Sequence, residues 1–411
     1  MDFRETEEQV MFRKTARKFA QNEVKPISLE FDKKVDPKEC FPWDMLRKAS
    51  KLGFRTMSVP SEYGGGGVKD LISHIIVIEE LSAGDHGFAS CIRSAVALSS
   101  WIDLLCNQQQ KDEFFPKIVK DDTFVIAEAK TEPNSGTDNI LMTEVPGGGL
   151  QTYAERKGDV YIVNGSKHFI ANGGVAKIHL LHCRTDRKLP LNQCHSVLLV
   201  PPDTPGFKIG KAHNKLGRRL LINAELFFDD MRVPARYLVQ NEGGAATYLK
   251  RVAFQAFTIP ATILGTFRAT YNAVVDYARM RVQGGKPIIR HQMVAAEISE
   301  MRVRIEAIRA LLYKQAWCWE NNYDYDPRVT ILIRPFINET AGHMAYQVQE
   351  IMGAPGVDRE MMVEKYTRDL LTCVHGPSTY SGLLRAAPDY QPETTLPDWH
   401  EAKNIDVKEV A

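Results

Sequence analysis

The sequence predicts an α+β fold: an N-terminal helical domain, a middle antiparallel β-domain and a C-terminal four-helix bundle. Three observations carry this. Helical periodicity fills the chain up to about Lys120. Short β-rich runs punctuated by Gly, Pro and Asn begin near Thr123. Helical periodicity returns after Asn241. Helices, then strands, then helices imply a sheet inserted between two helical layers. The expected boundaries are 1–122 for the first domain, 123–237 for the β-domain, 238–386 for the bundle and 387–411 for a tail.

Each element has a local reason. From Thr6 to Val24, apolar Val10, Phe12, Ala16, Phe19 and Ala20 recur among polar residues at helical spacing. Leu71 to Leu81 predicts another helix. It follows Pro60-Ser-Glu-Tyr63-Gly64-Gly65-Gly66-Gly67, a loop with little backbone constraint. The predicted strands centre on Phe124-Val-Ile, Tyr161-Ile-Val, Ile178-His-Leu-Leu, Ser196-Val-Leu-Leu-Val and Leu226-Phe-Phe. In the last domain, Met301, Val303, Ile305, Ile308, Leu311 and Leu312 alternate with Arg and Glu, a stripe suited to a bundle core. Asn338 to Met352 repeats that pattern. From Ala387 onward Pro, Asp and Glu predict irregular chain.

Composition narrows the function. The chain has 411 residues, enough for a sizeable core. Its 52 basic and 51 acidic residues give no nucleic-acid or membrane-surface footprint. No apolar run reaches the roughly 18 residues of a membrane span, and the polar start Met-Asp-Phe-Arg-Glu-Thr-Glu-Glu is not an ordinary secretory signal. The seven Cys lack Cys-x-x-Cys spacing, so neither a metal site nor a disulfide framework is expected. A reducing cytoplasm is the expected compartment.

Several separated motifs share one resemblance. They are Tyr63-Gly-Gly with Glu79-Glu80-Leu81-Ser82; Thr131-Glu132-Pro133-Asn134-Ser135-Gly136-Thr137-Asp138; and Gly165-Ser-Lys167-His-Phe169-Ile170-Ala171-Asn172-Gly173. Further along come Lys215-Leu-Gly217 with Phe228-Asp-Asp-Met-Arg-Val-Pro234, then Tyr277-Ala-Arg-Met-Arg281 with His291-Gln292, and Gln349-x-x-x-Gly353. In this order they resemble the acyl-CoA dehydrogenases. The resemblance implies FAD as cofactor, an acyl-CoA substrate and an electron-transferring flavoprotein as electron acceptor. It also implies roles. Thr131, Gly136, Thr137, Phe169 and Ala171 would border the flavin. Arg281 and Gln292 would hold the FAD of a neighbouring subunit, and Gln349 and Gly353 would lie near its pyrophosphate. A homotetramer, or at least a dimer, follows from such shared sites. A guanidinium suits two phosphates because it is forked and always charged.

The sequence departs from the family where the chemistry is done. The family's C-terminal Arg-Asp…Tyr-Glu-Gly-Thr becomes Arg368-Asp369…His375-Gly376-Pro377, two residues shorter, and no Asp or Glu occurs between Asp369 and Asp389. The alternative base position falls at Gln255, and no acid occurs from Gly243 to Val275. Ala171 replaces a Thr or Ser, and Gly284-Gly285 replaces Phe-Gly. Two catalytic candidates remain. Asp85, in the loop Leu81-Ser-Ala-Gly84-Asp85-His86-Gly87-Phe88 that lines the family's acyl pocket, would take a proton from a remote, conjugation-acidified carbon; its bland alternative is a helix cap. His375 would act as an imidazole base near pH 7. His86 is read as structural. These departures predict a cyclic or unsaturated substrate of the cyclohexenecarboxyl-CoA type, oxidised to a conjugated diene. A flavin monooxygenase or oxidase on the same fold, or a non-catalytic FAD- or acyl-CoA-binding subunit, are the competing readings.

Overall fold

A computed structural model describes residues 4–136, 138, 145–245, 254–323, 325 and 327–374. The tail, His375 and Thr137 lie outside these residues.

Six helices open the chain: α1 (Glu7–Phe19), α2 (Lys25–Asp32), α3 (Trp43–Lys51), α4 (Leu71–Ser82), α5 (His86–Leu105) and α6 (Gln108–Lys120). Their starts are chemically marked. Thr6 and Gln9 form a reciprocal capping box on α1, Asn107 and Gln110 form one on α6, and Asp70 and Asp85 cap α4 and α5. A π-helical turn, Ala20–Val24, joins α1 to α2. α5 is long and apolar enough to span a membrane by length and composition alone. It is the core helix of its domain, with 78% of that window buried.

Seven strands follow: β1 (Ile126–Ala129), β2 (Tyr153–Lys157), β3 (Val160–Ala171), β4 (Ile178–Arg184), β5 (His195–Val200), β6 (Phe207–Ala212) and β7 (Asn223–Pro234), with a short α7 (Leu191–Cys194) before β5. They form one sheet in the order β1-β4-β2-β3-β7-β6, with β5 on β4. Most pairs are antiparallel, as expected, but β1 runs parallel to β4, and β2 meets β4 in parallel through Tyr153 and Arg184. β3 changes register against β7 twice, the second time between Lys167 and Ile170, so a bulge falls on Phe169.

The last domain is the bundle of α8 (Phe254–Met280), α9 (Gln292–Glu320), α10 (Pro327–Met352) and α11 (Met362–Val374), with the hairpin β8 (Val282–Gln283) and β9 (Lys286–Pro287) between α8 and α9. Met301, Ile305, Ile308 and Leu312 face inward at spacings of three and four. Val303 falls on the opposite face and is 67% exposed, so it leaves the predicted stripe.

Two cores result. One is shared by the N-terminal helices and the bundle; Ile75, Leu81 and Phe88 belong to the same cluster as Leu264, Met301 and Met344. The other fills the sheet and takes Trp101, Phe114 and Phe115 from α5 and α6. α8 crosses α4 at Gly265, where a Cβ would meet the Glu79 carbonyl at 2.1 Å. The crossing is locked by charge: Glu80 receives Arg13, Arg17 and Arg268, and Glu79 receives Arg309 at 2.9 Å. All seven Cys are free and buried.

Candidate active site

The end of β3 and the turn after β1 carry the first group of predicted residues. Lys167 is fully buried and would be costly without a partner. Its Nζ lies 2.8 Å from Glu132 Oε1 and 3.0 Å from the Lys130 carbonyl. Glu132 also accepts the backbone N–H groups of Thr152 at 2.9 Å and Gln151 at 2.6 Å. Burial alone would raise the Glu132 carboxyl, but Lys167 and these donors hold it below its ordinary value. The His168 N–H donates to the Thr131 carbonyl at 2.9 Å. The Thr-Glu-Pro and Gly-x-Lys-x-Phe motifs are therefore one hydrogen-bonded unit.

Phe169 sits on that unit in the left-handed region, with φ of 56° and 52% of its surface exposed. Positive φ is costly for a bulky residue, and an exposed aromatic in that conformation points to use. Its ring stacks on His213 at 4.0 Å, and Asn223 donates to its carbonyl at 2.7 Å. Thr131 and Gly136 are exposed beside it, and Ala171 is partly buried. The Gly136 N–H is already given to Asp138 at 2.8 Å. An exposed aromatic ring in this position fits a flavin. These residues would border the ring.

A second group gathers at one end of the bundle. Short connections bring the end of α8, the start of α9 and the end of α10 together. Arg281 and Gln292 are exposed on either side of the β8–β9 hairpin, with the Ile288 N–H bonded to the Arg281 carbonyl at 2.8 Å. Gln349, near the end of α10, donates to the Gly356 carbonyl at 3.1 Å. Gly353 follows with φ of 61°, a conformation glycine adopts without strain.

Asp85 belongs to neither group. Its Oδ1 accepts the Phe88 N–H at 2.7 Å, capping α5, and its Oδ2 accepts the Ser28 hydroxyl at 2.6 Å. Lys365 Nζ lies 2.7 Å from the same Oδ2 and 2.7 Å from Asp369 Oδ2. All three ionic residues are buried. Burial would lower the Lys365 ammonium, but Asp369 and Asp85 together hold it above its ordinary value. Three of the roughly four acceptor sites of the Asp85 carboxylate are thus used internally. Asp85 is thus tied to Lys365, Ser28 and the Phe88 N–H, the contacts of a helix cap and a buried ion pair. His86 is buried with Nδ1 2.8 Å from Thr266 Oγ1, and burial first, then Arg218 and Lys365, push it well below its ordinary value. It is neutral and structural, as expected. Gln255 falls in α8.

Sequence reasoning missed Lys365, although Lys and Asp four apart on a helix is a visible pairing signal. It also missed Arg218, whose N–H donates to Asp369 Oδ1 at 2.5 Å and whose φ is 53°.

Three family models cover most of the chain: the acyl-CoA dehydrogenase N-terminal domain over residues 6–122, the middle domain over 127–231 and the C-terminal domain over 242–376. The chain belongs to the acyl-CoA dehydrogenase family. That makes it a flavoprotein dehydrogenase acting on CH–CH groups. It is 33% identical over 369 residues to an acyl-CoA dehydrogenase of Bacillus subtilis, covering 89% of this chain and 92% of that one. It is also 33% identical over 377 residues to a short-chain-specific acyl-CoA dehydrogenase of Clostridium acetobutylicum, covering 90% and 94%. The butyryl-CoA dehydrogenase of Megasphaera elsdenii superposes with a TM-score of 0.84 at 29% identity, over 93% of this chain and 98% of that one. In this acyl-CoA dehydrogenase family member the Glu132–Lys167 pair ties the turn after β1 to β3.

Proposed function

We propose that the chain oxidises an acyl-CoA thioester at neighbouring carbons, with His375 rather than a carboxylate taking the substrate proton. One combination supports this reading. Phe169 presents an exposed ring on the Glu132–Lys167 unit, while neither Gln255 nor the segment 370–388 offers an Asp or Glu. FAD, when bound, supplies the hydride acceptor.

The chain's own residues orient and deprotonate. Phe169 offers a ring face, with Thr131, Gly136, Thr137 and Ala171 beside it. Arg281, Gln292, Gln349 and Gly353 hold the pyrophosphate end, the first two from a neighbouring subunit of a homotetramer. Exposed Met280, Val282 and Met293 surround Arg281 and Gln292, at 74%, 59% and 83%. Such an apolar patch favours cover by another copy. His375 follows the end of α11, two residues beyond buried Cys373. A neutral imidazole accepts a proton near pH 7. Cyclic substrates of the cyclohexenecarboxyl type stay within the proposal. Proton removal from a remote carbon by Asp85 does not, because that carboxylate is committed to Lys365, Ser28 and Phe88. An electron-transferring flavoprotein is the proposed acceptor.

The test is an anaerobic titration with butyryl-CoA, cyclohexanecarboxyl-CoA and cyclohexenecarboxyl-CoA. Bleaching of the flavin absorbance by at least one supports dehydrogenation. Oxygen uptake with a non-CoA substrate alone would instead indicate an oxidase or monooxygenase. No reduction by any thioester would indicate a binding subunit.

A further inference from the structure

Two irregularities of the sheet meet at one residue of β7. Against β3, Leu226 pairs with Lys167 and Ala224 with Ile170, so His168 and Phe169 together face Glu225. Against β6, Leu226 pairs with Ile209 and Ala224 with Ala212, so Gly210 and Lys211 together face the same Glu225. Each sets two residues against one, the count of a bulge, which re-aims side chains out of the regular alternation. Ala224 and Leu226 are buried, whereas Glu225 between them turns to the other face and is partly exposed.

The chain leaving β6 brings a third group to this point. The His213 N–H donates to the Asn223 carbonyl at 2.8 Å, which continues the ladder past the strand end. The His213 and His168 ring centroids are then 4.7 Å apart. His168 Nε2 lies 3.4 Å from Glu225 Oε1. One ligand atom from each of His168, His213 and Glu225 lies within 4.8 Å of the other two. His213 Nε2 is buried and has no hydrogen-bond partner. The second Glu225 oxygen takes the Lys211 N–H at 3.4 Å, long for a hydrogen bond.

We propose that His168, His213 and Glu225 form a binding site for a divalent transition-metal ion of the zinc type, with a fourth position open to water. Imidazole nitrogen and carboxylate oxygen are donors that such ions accept, and two His with one Glu is a set that leaves zinc one open position. The spacing fits. Bonds of about 2.0–2.1 Å at tetrahedral angles put ligand atoms about 3.4 Å apart, the separation that His168 and Glu225 already hold. A small turn of the His213 side chain completes the set. The donors come from β3, from β7 and from the residue after β6, so the ion ties three segments of the sheet together. It does so beside the exposed Phe169 ring, on which His213 stacks at 4.0 Å. No Cys takes part, so Cys spacing carries no sign of this site. The inference does not depend on what the enzyme oxidises.

The experiment is equilibrium dialysis of the full-length protein, stripped with EDTA, against zinc, with bound zinc measured by atomic spectrometry. The wild type is expected to hold one zinc per chain with a Kd of about 10 µM or lower. Magnesium in about tenfold excess should not displace it, because that ion prefers oxygen donors. His168→Gln, His213→Gln and Glu225→Gln should each weaken binding at least about 100-fold, with folding checked by cooperative unfolding. His343→Gln is the control: His343 lies 3.2 Å from Glu300 in the bundle, another His–carboxylate pair, and its loss should leave zinc binding unchanged. A wild type that holds no zinc up to about 1 mM overturns the site, and this result needs no variant to fold. Zinc held equally by His213→Gln and Glu225→Gln also overturns it, because the ion is then adventitious.

Discussion

On β3 a buried charge meets its opposite: Lys167 meets Glu132, whose remaining lone pairs take two backbone donors. Where α5 faces α11 and the loop around Arg218, charge is divided differently. Lys365 is shared by Asp85 and Asp369, yet two turns along α5 Arg93, and Arg218 on the loop before β7, have no such balance. The difference separates two uses of the same residue types. A closed pair holds elements together, because removing either member strands a charge. An open pair holds little together and keeps its donors available. The closed pairs are therefore read as architecture.

The largest expected effect comes from breaking a closed cluster. Lys365→Met would leave Asp85 and Asp369 buried without a cation, and is expected to cost about 3–5 kcal/mol in urea unfolding. A loss below about 1 kcal/mol would show that the cluster is not architectural. Next comes acid. Burial would raise the Glu80 carboxyl, but hydrogen bonds from Arg17, Arg268 and Arg13 hold it down at about 2. A depressed folded value means stability that is full above the unfolded value and lost as pH falls through the folded one. Up to ~3 kcal/mol should disappear between about pH 4.5 and 2, and Glu80→Gln should flatten that part of the profile. The smallest effect on the fold is expected at Phe169. Its ring is half-exposed, so Phe169→Ala should change unfolding free energy by less than about 1 kcal/mol. Flavin retained through gel filtration should nevertheless drop.

The elements were legible where periodicity was strong. Residues 71–81 and 301–317 lie on α4 and α9, and each predicted apolar run overlaps a strand. Phe169 was legible through its motif. Pairing between distant segments was not. The parallel contact of β1 with β4 depends on which strands meet, which alternation does not encode. Asp85 looked available because its local sequence reveals only the cap; Ser28 and Lys365 arrive from other helices. Val303 shows the reverse error, an apolar residue that a stripe argument placed inward and the helix turned outward. Arg93 did carry a local signal, a lone charge in an apolar run, but Arg218, which the fold brings beside Ser90, did not.

The most direct test of this division is the anaerobic rate of flavin reduction, with the best acyl-CoA, in Asp85→Asn and in His375→Gln, each checked for folding and bound flavin. Asp85→Asn is expected to keep a rate within about threefold of wild type, and His375→Gln to lose about 100-fold or more. A folded, flavin-loaded Asp85→Asn enzyme slowed about 100-fold, beside an unimpaired His375→Gln enzyme, would contradict it.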